Sequence, residues 1–369
     1  MSTNQGLCVR DLHVSFGRTH LLRGIGFDVV PGETLVLFGP SGVGKTVLLR
    51  AIAGLEPAAR GEVRIDARDV TASGPEARSI GGAFQNFALY PHMSARENIA
   101  SPLRARGTAK AEIERRVGAI ADLLRIAHVL GHMPKELSNG QKQRTALARA
   151  LVGQPRVLLL DDPLRNVDAK LRYEMRLELP RLLRNAAAAT LYVTQDYREA
   201  MALGDRVAIL LDGGIAQLDT PEAIYDRPAT MTVARLFGDP PINLLLCRPT
   251  AASGGVAVSA AGLHLVLPGM DGAAGRECLL GLRPESIMLH HEARLGAAPA
   301  FLVAVTPLHE RLVLLLRTAD GEELVASVLG TPPEPGAAVW LSVDDTAAAL
   351  FDAASGARLH RATPIREAA

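Results

Sequence analysis

The chain has 369 residues, too many for one ordinary hydrophobic core, so its length predicts at least two domains. A formal net charge of +1 argues against nucleic acid as the main partner, because domains that bind nucleic acid are usually strongly basic. The apolar runs are only as long as strands and fall short of the roughly 18–20 residues that cross a membrane, so we expect any membrane role to be carried out through partner proteins.

Residues 1–238 alternate strand-like apolar runs with helical patterns, which predicts an α/β domain. The segment Lys45–Ala53 predicts a helix that follows a glycine-rich loop. Apolar residues between 109 and 130, Leu123 among them, form a single helical stripe. They belong to a predicted helical subdomain at about 90–152.

The composition changes at residues 238–241, a turn-rich stretch of Gly, Asp and Pro. Beyond it, in residues 239–369, helical periodicity fades and short β-like runs are separated by Gly, Pro and Asp. The pair formed by Asp320 and Gly321 lies between two such runs and is a strong hairpin signal. This pattern predicts a second, β-rich domain built from small barrels.

One segment fits the phosphate-binding pattern G-x-x-x-x-G-K-[ST] at every fixed position, with a predicted strand before it and a helix after it. Glycines let backbone N–H groups point at a phosphate, the Lys adds a positive charge, and the Thr hydroxyl is placed to bind Mg²⁺. An ordinary glycine-rich turn is the alternative, but the complete match predicts a site for a nucleoside triphosphate. The predicted binding residues are Gly39, Pro40, Ser41, Gly42, Val43, Gly44, Lys45 and Thr46.

A second predicted helix start could also face a phosphate. The Ser138 hydroxyl and the amides that follow it open this helix, and a helix N-terminus attracts anions. Ser138 and Gln141 also form an S-x-x-Q capping box, so an ordinary helix start is the alternative interpretation. The segment consists of Ser138, Asn139, Gly140 and Gln141.

Three further motifs complete the pattern. An apolar run at 157–160 ends in Asp161, Gln85 precedes a short apolar segment, and Phe16 lies near the start of the chain. In their order and spacing, these motifs, the phosphate loop and the second helix start resemble an ATP-binding cassette (ABC) throughout residues 5–235.

The resemblance implies a role for each of these residues. Thr46, Gln85 and Asp161 would hold Mg²⁺, and Gln85 would also contact the ATP. Phe16 would stack on the adenine, although a buried position in the strand core is the alternative for this residue. Segment 138–141 would serve the ATP that is held by an opposite subunit.

Three later segments, at residues 238–243, 281–285 and 350–352, resemble landmarks of the ATPases of bacterial carbohydrate importers. That branch implies an OB-like regulatory domain of the TOBE or MOP type in residues 239–369. It also implies ATP-driven uptake of a sugar or a polyol such as glycerol, powered by a peripheral subunit at the cytoplasmic face of the inner membrane. The implied partners are two membrane permeases, a second ATPase subunit and, indirectly, an extracytoplasmic solute-binding protein.

Two residues at the expected catalytic positions differ from the family pattern. The family's general base is a Glu where this chain has Asp162, whose carboxylate is one methylene group shorter. The family's His is replaced by Gln195, which cannot carry a proton or a positive charge near pH 7. Asn166 and Val47 also differ from the usual residues. We therefore expect Asp162 and Gln195 to act as catalytic residues in a site that binds ATP and hydrolyses it slowly.

These departures favour a heterodimer in which a different ATPase carries the competent Glu and His. A homodimer that uses Asp162 as base is one alternative, and an importer for another small solute is compatible with it. A nucleotide-binding regulatory subunit that hydrolyses nothing is a further alternative. A P-loop kinase or GTPase would need an acceptor site or a guanine-specificity motif, and the sequence has neither.

Overall fold

The computed structural model describes residues 6–83, 87–165, 167–294, 296–308, 311–330 and 334–359. The chain forms two compact units, Met1–Glu222 and Ala223–Ala369. Within the described ranges, no helix is both long enough and apolar enough to cross a membrane.

Strands and helices alternate in the first unit, which confirms the predicted α/β fold. The strands are β1 (Leu7–Phe16), β2 (Thr19–Val29), β3 (Thr34–Phe38), β4 (Arg60–Ile65), β5 (Arg68–Asp69), β6 (Ile80–Ala83), β7 (Val157–Asp161), β8 (Ala189–Thr194), β9 (Arg206–Leu211) and β10 (Gly214–Asp219). The helices are α1 (Lys45–Ala53), α2 (Ala95–Ala105), α3 (Lys110–Leu123), α4 (Asn139–Val152), α5 (Ala169–Ala186), α6 (Tyr197–Leu203) and α7 (Pro221–Asp226), the last of which spans the boundary between the units. Short 3₁₀ helices lie at Pro75–Arg78, Ala127–Val129 and Pro134–Glu136.

One sheet of the first unit has the strand order β10-β9-β3-β8-β7-β6. Every residue of β3, β7 and β8 is buried, as expected for parallel strands that are covered on both faces. In the parallel ladders Phe38 pairs with Thr194, and Asp161 pairs with Val193. The carboxyl ends of these three strands therefore lie at the same edge of the sheet.

The other sheet of this unit is antiparallel and has the order β2-β1-β4-β5. Leu22 and Ile25 of β2 share one buried cluster with Leu35 of β3 and with Leu48 and Leu49 of α1. The core thus connects both sheets with the helix that follows the glycine-rich loop. This packing holds the helix against both sheets.

The helix predicted within residues 109–130 is shorter than its apolar pattern. Helix α3 ends at Leu123, and Arg125 adopts a left-handed conformation with φ 54°. Leu123 is 48% exposed, whereas Leu124 is buried. The predicted stripe was wrong to include Leu123, because at 3.6 residues per turn Leu124 lies on the same face as the buried Val117, whereas Leu123 lies roughly 120° around the helix from it.

The second unit is β-rich, as predicted. It contains helix α8 (Met231–Leu236) and the strands β11 (Asn243–Cys247), β12 (Thr250–Ala252), β13 (Gly255–Ala260), β14 (Leu263–Pro268), β15 (Cys278–Leu282), β16 (Ile287–His290), β17 (Ala298–Leu308), β18 (Arg311–Thr318), β19 (Glu323–Leu329), β20 (Ala338–Val343) and β21 (Ala348–Asp352). Further 3₁₀ helices lie at Asp271–Ala273, Pro284–Ser286 and Asp345–Ala347.

The strands of this unit pair in antiparallel ladders with the orders β11-β15-β21, β12-β13-β14 and β16-β20-β17-β18-β19. Strands β18 and β19 form the hairpin that Asp320 and Gly321 predict. The two edge strands of the last sheet, β16 and β19, contact each other, so this sheet curls toward a barrel.

The two compact units divide between residues 222 and 223, earlier than the predicted boundary between residues 238 and 239. Arg283 Nη1 donates to the carbonyl oxygens of Ala234 and Phe237, at 3.0 Å each, and Arg283 Nη2 donates to the Tyr225 carbonyl oxygen at 2.7 Å. Its guanidinium also lies 3.9 Å from the Tyr225 ring centroid. These contacts join the segment before residue 238 to the second unit, and a change in composition cannot reveal them. The predicted boundary between functional domains remains a prediction.

Candidate nucleotide site

The glycine-rich loop at residues 39–44 joins the end of β3 to the start of α1. Gly42 (φ 82°) and Gly44 (φ 107°) adopt left-handed conformations that favour glycine. A Cβ at Gly39 would lie 2.5 Å from the Leu210 carbonyl oxygen, which is closer than side chains approach. The loop leads into the N-terminus of α1, the end of a helix that carries partial positive charge.

Lys45, the first residue of α1, lies inside this loop. Its side chain is buried, and Nζ donates to the carbonyl oxygens of Gly39 and Pro40 at 2.7 Å each. Burial lowers the pKa of Lys45, and the carboxylates of Asp162 and Asp161 oppose that shift. The ammonium group is thus held in place at the loop before any anion arrives.

Asp161 and Thr46 form the part of the site that suits a divalent cation. Thr46 Oγ1 donates to Asp161 Oδ1 at 3.2 Å, while Asp161 Oδ2 is buried and accepts no hydrogen bond from any described residue. Burial raises the pKa of Asp161, and the hydrogen bond from Thr46 is the largest opposing influence. A buried carboxylate oxygen without a partner, next to a hydroxyl, is the donor set that Mg²⁺ prefers, so these two residues fit that ion. Gln85, the third predicted ligand, lies outside the described residues.

Asp162 and Gln195 line the same cleft as the loop. The cleft holds about 250 Å³. Asp162 has φ 48°, and its N–H donates to the Val193 carbonyl oxygen at 2.9 Å, which ties the end of β7 to β8. Burial raises the pKa of Asp162, and the charge of Arg165 is the largest influence that lowers it. The described lining residues are Leu21, Ser41, Gly42, Gly44, Lys45, Thr46, Val47, Asp161, Asp162, Arg165, Val193 and Gln195.

Phe16 lies at the end of β1 and is 49% exposed. The alternative of a buried strand-core position is therefore wrong for this residue. An exposed aromatic ring has a face available for stacking. The structure does not place Phe16 among the residues that line the cleft.

The segment 138–141 begins α4 and forms the predicted capping box. Ser138 N–H donates to Gln141 Oε1 at 2.9 Å, and Gln141 N–H donates to Ser138 Oγ at 3.3 Å. Ser138 and Asn139 are exposed, and the described lining of the cleft includes no residue of the segment. The predicted helix start with its capping box is therefore present, and none of its residues lines this chain's own cleft.

Two residues at the site were missed in the sequence. Arg165 lines the cleft, and its only sequence signal is a long cation three residues after Asp162. Glu199 is buried and accepts hydrogen bonds from Tyr192 Oη and Thr194 Oγ1, at 2.9 Å each. Thr194 Oγ1 also accepts from the Asp196 N–H at 3.1 Å, so this network fixes the turn that carries Gln195. No signal in the sequence singled out Glu199. Asn166, which was expected to depart from the family pattern, lies outside the described residues.

Comparisons with known proteins agree with the order of these elements. A family model described as ABC transporter matches residues 22–165, and a model described as TOBE domain matches residues 280–351. A solved relative is the ATP-binding cassette MJ0796 in a dimeric, post-hydrolysis state bound to ADP and Pi. It is 27% identical with a TM-score of 0.53, and the match covers 58% of this chain and 98% of that one.

Curated relatives match almost the whole chain. The sn-glycerol-3-phosphate import ATP-binding protein UgpC of Cereibacter sphaeroides is 42% identical over 362 residues, which is 96% of this chain and 99% of the relative. The UgpC proteins of Salmonella typhi and Escherichia coli are 42% and 40% identical, with 93% of this chain and 96% of each relative covered. The chain therefore belongs to the family of ABC importer ATP-binding subunits, with an ATPase cassette followed by a TOBE domain.

Proposed function

We propose that this chain is the ATP-hydrolysing subunit of an importer for sn-glycerol-3-phosphate. Identity of 40–42% to relatives named for that solute, over 93–96% of this chain, is the observation that carries the proposal. A sugar or another polyol is the second candidate, because permeases and binding proteins choose the solute. The subunit would lie at the cytoplasmic face of the inner membrane, below two permeases that receive solute from an extracytoplasmic binding protein.

In this proposal the loop binds the phosphates of ATP. Lys45 and the N-terminus of α1 provide positive charge for the β- and γ-phosphates, since Nζ is already held at the loop carbonyl groups. Phe16 stacks on the adenine. Mg²⁺ held by Thr46 and Asp161, with Gln85 as a further ligand, would neutralise charge on the phosphates.

Hydrolysis depends on Asp162 and Gln195. Asp162 orients the attacking water, and Gln195 donates a hydrogen bond to the γ-phosphate. The shorter Asp162 side chain holds the water farther from its best position, and Gln195 supplies no charge. Poorly placed acid–base groups typically cost roughly 10²–10⁴ in rate. This chain's own site is therefore expected to bind ATP well and hydrolyse it slowly.

Segment 138–141 is proposed to serve the ATP of a second cassette. Ser138 and Asn139 are exposed at the N-terminus of α4, away from the chain's own cleft. The comparisons favour neither a heterodimer nor a homodimer, so the heterodimer expected from Asp162 and Gln195 remains a prediction. Formation of an ATP-bound dimer by the purified chain alone would favour the homodimer.

The Ser138→Asp variant should separate helix capping from phosphate contact. Asp caps a helix about as well as Ser, so we expect the free energy of unfolding to change by less than about 0.5 kcal/mol. The new negative charge would face the γ-phosphate of the opposite subunit, and turnover should fall roughly 10- to 100-fold while ATP affinity stays unchanged. Steady-state phosphate release and chemical denaturation measure the two effects.

Ser138→Ala is the matched control, because it removes the cap, at about 1 kcal/mol of stability, without adding charge. Full turnover in the Ser138→Asp variant would mean that segment 138–141 is only a helix start.

The solute is tested with the importer assembled in liposomes from this chain and its two permeases, together with its solute-binding protein. We expect sn-glycerol-3-phosphate, added with the binding protein, to stimulate ATP hydrolysis and to accumulate inside the vesicles. A complex that carries Lys45→Met is the inactive control. Stimulation by a neutral sugar or polyol, with no response to sn-glycerol-3-phosphate, would overturn the proposed solute and leave the ATPase assignment intact.

A further inference from the structure

The cleft contains a cation that its sequence motifs do not explain. Among its described lining residues, the charged side chains are Lys45, Arg165, Asp161 and Asp162. Arg165 lies in the loop after β7. Burial is the largest influence on the pKa of each of the other three, and the charge of Arg165 also acts on all of them, as expected for a cation close to the whole group.

The other groups of the cleft leave a need for positive charge. Lys45 Nζ, held at the carbonyl oxygens of Gly39 and Pro40, supplies one positive charge to the β- and γ-phosphates. Gln195 lines the cleft but is neutral, so it cannot balance charge that develops on a phosphate. Arg165 is the remaining cation of the described lining.

The backbone of Arg165 is held firmly. Its N–H donates to the Asp162 carbonyl oxygen at 3.2 Å, and Arg172 Nη2 donates to the Arg165 carbonyl oxygen at 3.1 Å. Arg172 also donates to the carbonyl oxygens of Leu164 and Val167, at 3.2 and 3.1 Å. The loop that presents the Arg165 side chain is therefore fixed from both sides.

The side chain itself is held loosely. Arg165 Nη1 lies 3.9 Å from Asp162 Oδ2, which is beyond hydrogen-bond distance, and the side chain is 54% exposed. A half-exposed ion pair at that distance contributes little to stability. A planar guanidinium is well suited to a bidentate contact with phosphate oxygens, so a bound phosphate offers a stronger partner than this one.

We propose that Arg165 moves from Asp162 to the γ-phosphate when ATP binds, and supplies part of the positive charge that Gln195 cannot. The move also releases the Asp162 carboxylate to orient the attacking water. Arg165 is then a catalytic residue of this chain's own site and a sensor of the third phosphate. The inference rests on the slow-site part of the proposed function and is independent of the solute.

The test compares ATP with ADP, because only ATP carries the γ-phosphate. Dissociation constants for both nucleotides are measured on the full chain for the native protein, Arg165→Ser and Arg165→Lys. Arg165→Ser should weaken ATP binding roughly 10- to 100-fold and leave ADP binding unchanged, since one charge-assisted contact is lost. Arg165→Lys keeps the positive charge but cannot make the bidentate contact of a guanidinium, so it should recover part of the preference for ATP. Arg181→Ser, at an exposed arginine of α5, is the matched control and should leave both constants unchanged.

A second comparison tests whether Arg165 contacts the phosphate or only positions Asp162. In a Gln195→His background the histidine can supply the charge, so Arg165→Ser should cost less there than in the native chain. If Arg165→Ser lowers turnover but leaves the ratio of ATP to ADP affinity unchanged, Arg165 only positions Asp162 and the proposal is wrong. Equal costs in the two backgrounds would also contradict it. Fast ATP turnover by the native chain would contradict the proposal that its own site hydrolyses ATP slowly. The ratio of ATP to ADP affinity would still test whether Arg165 contacts the γ-phosphate.

Discussion

The Lys45→Met variant is expected to lose roughly 10²–10³-fold or more in kcat/KM for ATP. Lys45 Nζ is held at the carbonyl oxygens of Gly39 and Pro40, where it meets an incoming phosphate without reorganisation. Met has a similar length and no charge, so it removes the electrostatic contact and keeps most of the packing. Titration with ATP and steady-state phosphate release measure the loss.

The same variant should not lose stability. Burial disfavours the charged form of Lys45, and a buried Met carries no such cost. The loss of the two hydrogen bonds from Nζ to the Gly39 and Pro40 carbonyl oxygens opposes this gain, so we expect the unfolding midpoint of the nucleotide-free variant to stay close to that of the native chain. Lys110→Met, at an exposed position of α3, is the matched control and should keep native ATP binding. A Lys45→Met variant that binds ATP with native affinity would place the phosphates elsewhere.

The Asp162→Glu/Gln195→His double variant is expected to gain turnover, by roughly 10²-fold and up to about 10⁴-fold. Asp162 and Gln195 line one cleft, so a longer carboxylate and an imidazole would act on the same phosphate. Glu restores one methylene group of reach, and His can carry a positive charge near pH 7. Phosphate release at saturating ATP measures the gain.

The single variants are the controls for this gain. Because the two groups act on one transition state, their effects are not independent. The gains in turnover of Asp162→Glu and Gln195→His, multiplied together, should be smaller than the gain of the double variant. A double variant no faster than the native chain would show that these two positions do not limit the rate. In that case Arg165 would become the first residue to test.

The sequence predicts the site best where a motif constrains the backbone itself. The loop at 39–44 needs glycine at the left-handed positions Gly42 and Gly44 and at the close contact of Gly39, so the pattern of glycines specifies its shape. The hairpin between β18 and β19 is specified in the same local way by Asp320 and Gly321. Local rules of this kind require no knowledge of distant contacts.

The sequence fails where the outcome depends on hydrogen bonds that no motif specifies. Glu199 matters through Tyr192 and Thr194 on the preceding strand, and its pattern is that of any acid in a helix. Arg283 binds carbonyl oxygens about 46–58 residues before it in the chain, which moves the division of the compact units away from the change in composition. Residue types reveal neither which hydroxyl groups donate to a buried acid nor which carbonyl oxygens accept from an arginine, so the sequence could not predict either set of contacts.

Slow hydrolysis at a site that binds ATP well is tested most directly by single-turnover cleavage of radiolabelled ATP, with the unmodified chain in excess. We expect the label to be bound fully and to remain mostly uncleaved over the time in which the Asp162→Glu/Gln195→His variant converts it to ADP and phosphate. Cleavage by the unmodified chain at the rate of the double variant would contradict this expectation. Asp162 would then be an adequate base, and a homodimer with two active sites would explain the protein.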